Sequence, residues 1–474
     1  MKQPRTNAKN SGGGGDEGPL DASSFPEGPT GRKLVVLRPG SQKSLIKALK
    51  DTAGVSAATT ADYDDAVVTE KSVGKAGALI FEHLDIAVID GNPDQVSSLE
   101  AAVEDVSNPI LSIEDEMYEH VFCGEEGYAA SGELLTGAGE SYLRGYLAAV
   151  KSLTAQLLAG GATDDEAHEI VQTTFADTAA ATWGLQAVRA HTSLCTGKGI
   201  RVAVLDTGFD LNHPDFAGRA VVTASFVPGQ TVQDGHSHGT HCIGTSCGTK
   251  VVPAAARRYG IAGQATILAG KVLNNAGSGQ GAWIIAGINW AVQQKAVVIS
   301  MSLGSNVAVG AGFSPAYEQA GLAALNAGSL IVAAAGNEGN NKPVGSPANC
   351  PSFMAVAALG QSLNLASFSC TAINPGQLVD IAAPGVGTYS SVPMPTRYGM
   401  KSGTSMATPH VAGCAALWAQ NTGLRGKALW NKLTATAANV GLPANKVGAG
   451  LVQAPSCRVI VFPPQKLPVL PILR

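Results

Sequence analysis

The sequence predicts an α/β protein whose larger, C-terminal part is built on a parallel sheet, preceded by a small α+β domain. From Gly199 onward, short continuous apolar runs recur at Ile200–Leu205, Ile267–Leu273, Val297–Met301, Leu330–Ala335 and Phe353–Ala358, with helical stretches between them. Runs that are apolar at every position suit strands buried on both faces, as in a parallel sheet covered by helices. One intervening stretch, Ala282 to Val292, sets Trp283, Ile284, Ile288 and Ala291 on one helical face. Upstream, residues 33–120 carry strand and helix patterns for two helices on one small sheet.

Taken in order, residues 1–31 are rich in Gly, Ser and Pro, with a GGGG run and no apolar stretch. They read as a disordered tail and not as a secretory signal. Residues 32–122 form the small domain: a strand at Lys33 to Arg38, a helix from about Ser41 to Thr52 and a strand from Ala78 to Ile89. A second helix follows, opened by Asn92-Pro93 with Val96, Leu99 and Val103 on one face, and then a strand from Ile110 to Glu114. Residues 123–181 read as a helical connecting segment, with Leu143, Leu147, Val150, Leu153 and Leu157 in helical register and Gly160-Gly161 behind them. Residues 182–474 are the parallel-sheet domain, ending in an apolar strap from Arg458 to Leu473 that four prolines keep extended.

Composition excludes several functions. Of the 474 residues 14% are charged, the formal net charge is -4, and no Lys/Arg block supplies the basic footprint of a nucleic-acid binder. No segment approaches the ~20 continuous apolar residues that span a bilayer. The eight cysteines lack the short paired spacings of a zinc ribbon, and their order alone defines no disulfide framework.

Three motifs stand just beyond predicted elements: Val204-Leu205-Asp206-Thr207-Gly208 after a strand, His238-Gly239-Thr240-His241 opening a helix, and Ser402-Gly403-Thr404-Ser405-Met406-Ala407-Thr408-Pro409-His410 leading into another. A serine hydroxyl becomes a useful nucleophile when an imidazole takes its proton, and the imidazole needs a carboxylate to fix its tautomer and stabilise its cation. Each motif alone also has a bland reading: Asp-Thr-Gly occurs in aspartic proteases, a histidine at a helix start is commonly structural, and Gly-Thr-Ser is a common turn. Together, and with Ser302-Leu303-Gly304 and Ala335-Gly336-Asn337-Glu338-Gly339 between them, they resemble the subtilisin family of serine proteases over residues 182–435, in that family's order Asp, His, Ser.

The resemblance implies a subtilisin-like catalytic domain in which Asp206 orients, His238 acts as general base and acid, and Ser405 attacks the scissile carbonyl. Asn337 matches the family's side-chain oxyanion donor, beside the backbone N–H of Ser405. Lys271 to Gly281, with Gly277, Ser278 and Gly279, resembles the edge that pairs with an extended substrate, and Ser302, Leu303 and Gly304 hold its other side. Ala334, Ala335 and Gly336 would wall the pocket for the residue before the cut (P1), with Gly345 as its floor, favouring Phe, Tyr, Leu and Met over charged residues. The small domain is similar to the family's inhibitory propeptide, with Ser112 to Glu116 resembling the end of its last strand. That alignment runs Met117 to Phe122 through the cleft and puts the self-cleavage site after Phe122; the competing site is near Phe175. Protein and peptide substrates are the implied partners, with the chain's own propeptide as intramolecular inhibitor. A zymogen with no ordinary secretory signal points to export by another route.

Departures from the family are informative. Gly248 to Tyr259 carries Lys250, Arg257 and Arg258 and no carboxylate where many relatives bind a tight calcium, a poor setting for a cation that wants oxygen ligands. A weaker structural calcium at Asp380, with the carbonyls of Pro351 and Phe353, resembles a site of the proteinase K branch; no cofactor is implied for the chemistry. His241 is the family's structural second histidine, and Cys242 resembles the thiol beneath the catalytic histidine of proteinase K. Two other functions share the motif set: a catalytically dead module used for binding, disfavoured because every catalytic position is filled, and a peptide macrocyclase, which needs a lid that only 123–181 can supply. An independent binding domain is the competing reading of residues 33–120.

Overall fold

The computed structural model describes residues 26–60, 76–105, 108–122, 174–250 and 257–457. The expected helix around Ser141 to Leu158, the strap after Arg458 and most of the N-terminal tail lie outside the described residues.

The small domain runs β1 (Pro29–Leu37), α1 (Gln42–Ala53), β2 (Ala57–Thr59), β3 (Ala78–Phe81), β4 (Ile86–Ile89), α2 (Pro93–Ala102) and β5 (Ile110–Val121). Asn92 caps α2 in a reciprocal pair with Gln95, and Pro93 fills the first turn, where a missing N–H costs nothing. The single strand expected from Ala78 to Ile89 is instead a hairpin. Polar Glu82 to Asp85 cannot continue a buried strand, and Asp85 takes the left-handed conformation (φ 53°) that turns the chain. Strand order is β5-β1-β4-β3-β2. Alternation along β1 gives the sheet two buried faces. Val35 and Leu37 pack with Leu45, Leu49 and Leu99 under the domain's own helices, while Leu34 and Val36 join the core of the larger domain.

The larger domain continues with α3 (Trp183–Ala187), β6 (Arg201–Asp206), β7 (Val221–Ser225), α4 (His238–Cys247), β8 (Thr266–Lys271), β9 (Ser278–Gln280) and α5 (Gly281–Gln293). Then come β10 (Val298–Met301), β11 (Leu303–Gly304), α6 (Pro315–Asn326), β12 (Leu330–Ala334), β13 (Met354–Leu359), β14 (Ile381–Pro384), β15 (Thr388–Ser391), β16 (Tyr398–Lys401), α7 (Thr404–Thr422) and α8 (Gly426–Ala435). Seven strands make one parallel sheet in the order β14-β13-β12-β10-β6-β8-β7. Helices α4 and α7 pack together on it, and α5 and α6 form a second pair against which the small domain rests. On α5, Ile284, Ile288 and Ala291 are buried as expected but Trp283 is only partly so. The chain leaves β6 for β7 and β8 on one side and returns to β10 on the other. The carboxyl end of β6 is therefore the switch point where open α/β sheets gather ligands.

β5 extends seven residues beyond the expected end at Glu114, because Tyr118 to Val121 find partners in the larger domain. Tyr118 to His120 pair antiparallel with β9, and His120 and Val121 pair with β11. Two carboxylates of β5 cap the helices beneath. Glu114 Oε1 accepts from Ser314 Oγ (2.7 Å) and Ala316 N (2.8 Å) at the start of α6. Glu116 Oε1 accepts from Ala282 N (2.7 Å) at the start of α5 and is paired with Arg32. A negative charge at a helix N-terminus meets its unsatisfied N–H groups and the positive end of its dipole.

Candidate active site

Asp206 is the last residue of β6 and His238 the first of α4, which puts both at the switch point. Asp206 Oδ1 accepts from His238 Nδ1 (2.7 Å) and from Thr207 N (2.7 Å), with both side chains buried. Ser405 is the second residue of α7, so its amide belongs to the helix's free N-terminal donors. Its hydroxyl donates to Ser302 O (3.0 Å), and among the described residues His238 Nε2 has no hydrogen-bond partner. The structure thus joins Asp206 to His238 and turns the Ser405 hydroxyl toward Ser302.

Pro409 inside α7 explains a further contact. Proline has no N–H to return to the carbonyl four residues back. That carbonyl, Ser405 O, is instead satisfied by Ser302 Oγ (2.8 Å) and Cys242 Sγ (3.6 Å). Cys242 is a buried thiol whose sulfur lies 3.9 Å from His238 Nδ1. His241 is buried with Nε2 on Thr388 O (2.9 Å), and burial holds its pKa well below the usual histidine value.

The cleft is occupied by the end of β5. Val121 N donates to Gly277 O (3.0 Å), and Glu119 and His120 lie opposite Gly279 and Ser278. Leu303 and Gly304 pair on the other side. Phe122 follows. Its carbonyl accepts from Asn337 Nδ2 (2.6 Å), while Asn337 Oδ1 takes Thr404 N and Thr404 Oγ1 (2.9 Å each), which fixes the amide with its NH₂ toward the cleft. A Cβ on Gly304 would stand 2.5 Å from Phe122 Cε2, and one on Gly345 would stand 3.1 Å from Phe122 Cζ. Gly345 is tied by its amide to Ala335 O (2.9 Å), and Gly336 N donates to Thr404 Oγ1 (3.1 Å). Gly277, Ser278, Gly279, Leu303, Gly304 and Gly345 thus meet one strand or one aromatic ring, while Ser302 bonds Ser405, Ala335 bonds Gly345 and Gly336 bonds Thr404.

Asp234 was not singled out by the sequence, since a lone acid four residues before His238 has no motif of its own. It organises the start of α4: Oδ2 accepts from Thr240 N (2.8 Å) and Thr240 Oγ1 (2.7 Å), and Oδ1 accepts from Thr207 Oγ1, His236 N and Ser237 N (2.9 Å each). Burial would raise its carboxyl, but these hydrogen bonds hold it below the usual carboxylate range. Through Thr207 it couples the end of β6 to the helix that carries His238.

Two features lie apart from the cleft. Cys195 and Cys457 form a disulfide across 262 residues of sequence, a pairing that spacing could not indicate. Lys250 Nζ donates to Ser193 O (2.8 Å), and Arg257 pairs with Asp177 (2.7 Å), so these cations serve as donors to local oxygens; residues 251–256 of that loop lie outside the described residues. Among the described residues no helix is long and apolar enough to cross a membrane.

Residues 197–450 match the model of the Subtilase family. The chain is 42% identical over 265 residues to subtilisin amylosacchariticus of Bacillus subtilis subsp. amylosacchariticus, which involves 54% of this chain and 63% of that protein's length. It is 42% identical over 277 residues to subtilisin Savinase of Lederbergia lenta, covering 57% of this chain and 96% of the relative. The solved structure of sphericase superposes with a TM-score of 0.51 at 33% identity, covering 57% of this chain and 97% of that one. The larger domain is thus a subtilisin-like α/β domain, preceded by a mixed sheet with helices, and the chain belongs to the Subtilase family.

Proposed function

We propose that this chain is a serine endopeptidase made as a self-processing zymogen. Ser405 is the nucleophile, His238 the general base and acid, and Asp206 the residue that orients and stabilises the imidazole. Asn337 and the Ser405 amide are the oxyanion donors. The observation that carries this reading is the position of Phe122, with its chain held as a strand between β9 and β11, its ring against Gly304 and Gly345, and its carbonyl oxygen 2.6 Å from Asn337 Nδ2.

In this reading Ser405 Oγ turns from Ser302 O to His238 Nε2, gives up its proton there and bonds to the Phe122 carbonyl carbon. The oxyanion is taken by Asn337 and the Ser405 amide, a preorganised donor being worth ~3 to 4 kcal/mol in the transition state. The His238 proton passes to the Cys123 nitrogen as the peptide bond breaks, and water then hydrolyses the ester by the same groups. Residues 32–122 stay in the cleft as the inhibitor, residues 123–181 remain on the new chain, and residues 182–474 form the catalytic domain. Protein and peptide substrates take the place of β5, and main-chain pairing makes the binding tolerant of sequence. Large apolar P1 side chains are favoured by burial at ~25 cal/mol per Å², and an unpaired charge is penalised. Phe175 pairs with neither β9 nor β11; its amide donates to Gln361 O (2.9 Å).

N-terminal sequencing of the processed enzyme should read from Cys123, and Phe122→Asp should slow maturation by about tenfold or more, as a charge replaces a buried ring. A start near Ala176 would reject the Phe122 site. Mercurials should also inhibit the mature enzyme, because the Cys242 sulfur, a His238 nitrogen and an Asp206 oxygen lie within 4.8 Å of one another. Cys242→Ser should confer resistance; unchanged inhibition in that variant assigns the effect elsewhere.

The reaction of this family needs no cofactor. For a structural calcium, Asp380 has Oδ2 committed to Ala355 N (2.8 Å), and burial pushes its carboxyl up to about 6. Calcium takes about six to eight oxygens. Its other carboxylate oxygen, with the main-chain carbonyls of Pro351 and Phe353, would hold at most a weak ion, which would act on stability alone.

A further inference from the structure

Counting back from the proposed cut, Glu119 occupies the fourth position upstream (P4). Its backbone lies opposite Gly279 and its side chain is only 1% exposed. The side chains that meet it come from the larger domain and remain when the propeptide leaves. Ser305, just after β11, and the hydroxyl of Tyr317, in the first turn of α6, both face the carboxyl. Tyr317 is 3% exposed, and neither its hydroxyl nor Glu119 Oε2 has a closed hydrogen bond among the described residues.

Burial is the first cause that makes ionisation of the Tyr317 hydroxyl harder, and the groups that add to it are all acidic. Glu114 and Glu116 on β5, Cys350 before β13 and Glu119 itself all act on the Tyr317 hydroxyl, each making its ionisation harder. Arg32 is engaged with Glu116, and both leave with the small domain, as does Glu114, so the larger domain supplies no cation to the slot among the groups that act on Tyr317. A carboxylate would therefore enter without a counter-ion, whereas a neutral acid or amide brings both an acceptor for the two hydroxyls and a donor of its own.

Resting on the endopeptidase reading above, we infer that the P4 subsite is a polar slot formed by Ser305 and Tyr317 that selects glutamine, or glutamate in its protonated form, over aliphatic side chains. An aliphatic side chain would gain from burial but would strip water from two hydroxyls and leave them unsatisfied, which is how a hydrogen-bonding subsite rejects an analogue lacking the polar group. Burial pushes the Glu119 carboxyl up to about 8 from an ordinary value near 4.5. The sign follows: a group whose bound pKa is raised binds best where the free form is already protonated, loses affinity as pH rises between the two values, and levels off above the higher one. The cut propeptide, carrying Glu119, is by the same linkage held more weakly as pH rises.

The test uses the processed enzyme and three peptides, X-His-Val-Phe with a chromogenic amide leaving group, where X is Gln, Glu or Leu. The Gln peptide should exceed the Leu peptide in kcat/KM by about tenfold. The Glu-to-Gln ratio should fall by up to about tenfold per pH unit through the neutral range. Titration of His238 affects both peptides equally and cancels in that ratio. Tyr317→Phe and, independently, Ser305→Gly should each shrink the Gln-to-Leu ratio. A Leu peptide equal to or better than Gln, or a Glu-to-Gln ratio flat with pH, overturns the subsite while leaving the endopeptidase intact. No turnover of any of the three overturns both.

Discussion

Ser405→Ala should yield a folded, full-length chain that neither processes itself nor cleaves added peptide, with activity lowered by about 10⁶-fold, the size found when a subtilisin loses its nucleophile. Ser405 stands at the start of α7, beside Thr404, which bonds the same Asn337 amide that meets the Phe122 carbonyl. Ser302, the nearest alternative, has its Oγ committed to Ser405 O at 2.8 Å. Removing one oxygen from a side chain whose hydrogen bond among the described residues is to Ser302 O leaves the Asp206–His238 pair and the Asn337–Thr404 network untouched, so stability should change little. The readout is gel mobility of the purified variant, free of other proteases, with peptide turnover by mass. The same mass analysis on a long peptide separates hydrolysis from ligation in the unaltered enzyme. Appearance of the processed form in the pure variant would remove Ser405 from its assigned role.

How much of this was legible in the sequence depends on the range of the interactions involved. Asp206, His238, Ser405 and Asn337 stand in short motifs at the ends of strands or starts of helices, so local pattern places them. Five of the seven strands of the parallel sheet were likewise legible, because each is a continuous apolar run; β14, though buried, is only four residues long and was not. What failed were features that need a distant partner. β7 is partly exposed along Val221 to Thr223 and reads as no strand until β8 pairs with it. The second half of β5 is polar, and its extended form comes from β9 and β11, more than 150 residues away. Cys195 and Cys457 meet only when the start and the end of the larger domain are brought together. Asp234 acquires meaning through donors from Thr207, His236, Ser237 and Thr240. Tyr317 looks like any helix-start aromatic until Glu119 is laid against it.

Asp206→Asn should leave a folded protein whose turnover falls by about 10⁴, the size expected for loss of a triad carboxylate. The geometry explains why a single atom matters so much. Asp206 Oδ1 accepts two hydrogen bonds, from Thr207 N and His238 Nδ1, and Oδ2 is buried with no hydrogen bond among the described residues. An asparagine can keep its oxygen on Thr207 and His238, but then buries an unsatisfied NH₂ where Oδ2 was and offers no charge to the imidazolium that forms when Ser405 is deprotonated. Turned the other way, it presents a donor to Nδ1 and forces the tautomer whose Nε2 carries the proton, which cannot act as a base. Both orientations strike the same step, and self-processing should fail with it. Asp234 is the control, since its five hydrogen bonds come from backbone and hydroxyl donors, four at the start of α4 and one from Thr207 just after β6, and none from a catalytic ring. Asp234→Asn should therefore lower the thermal midpoint more than Asp206→Asn while costing less in kcat. The reverse pattern, a few-fold effect at Asp206 and a collapse of turnover at Asp234 with stability intact, would mean that the orienting carboxylate had been assigned to the wrong aspartate.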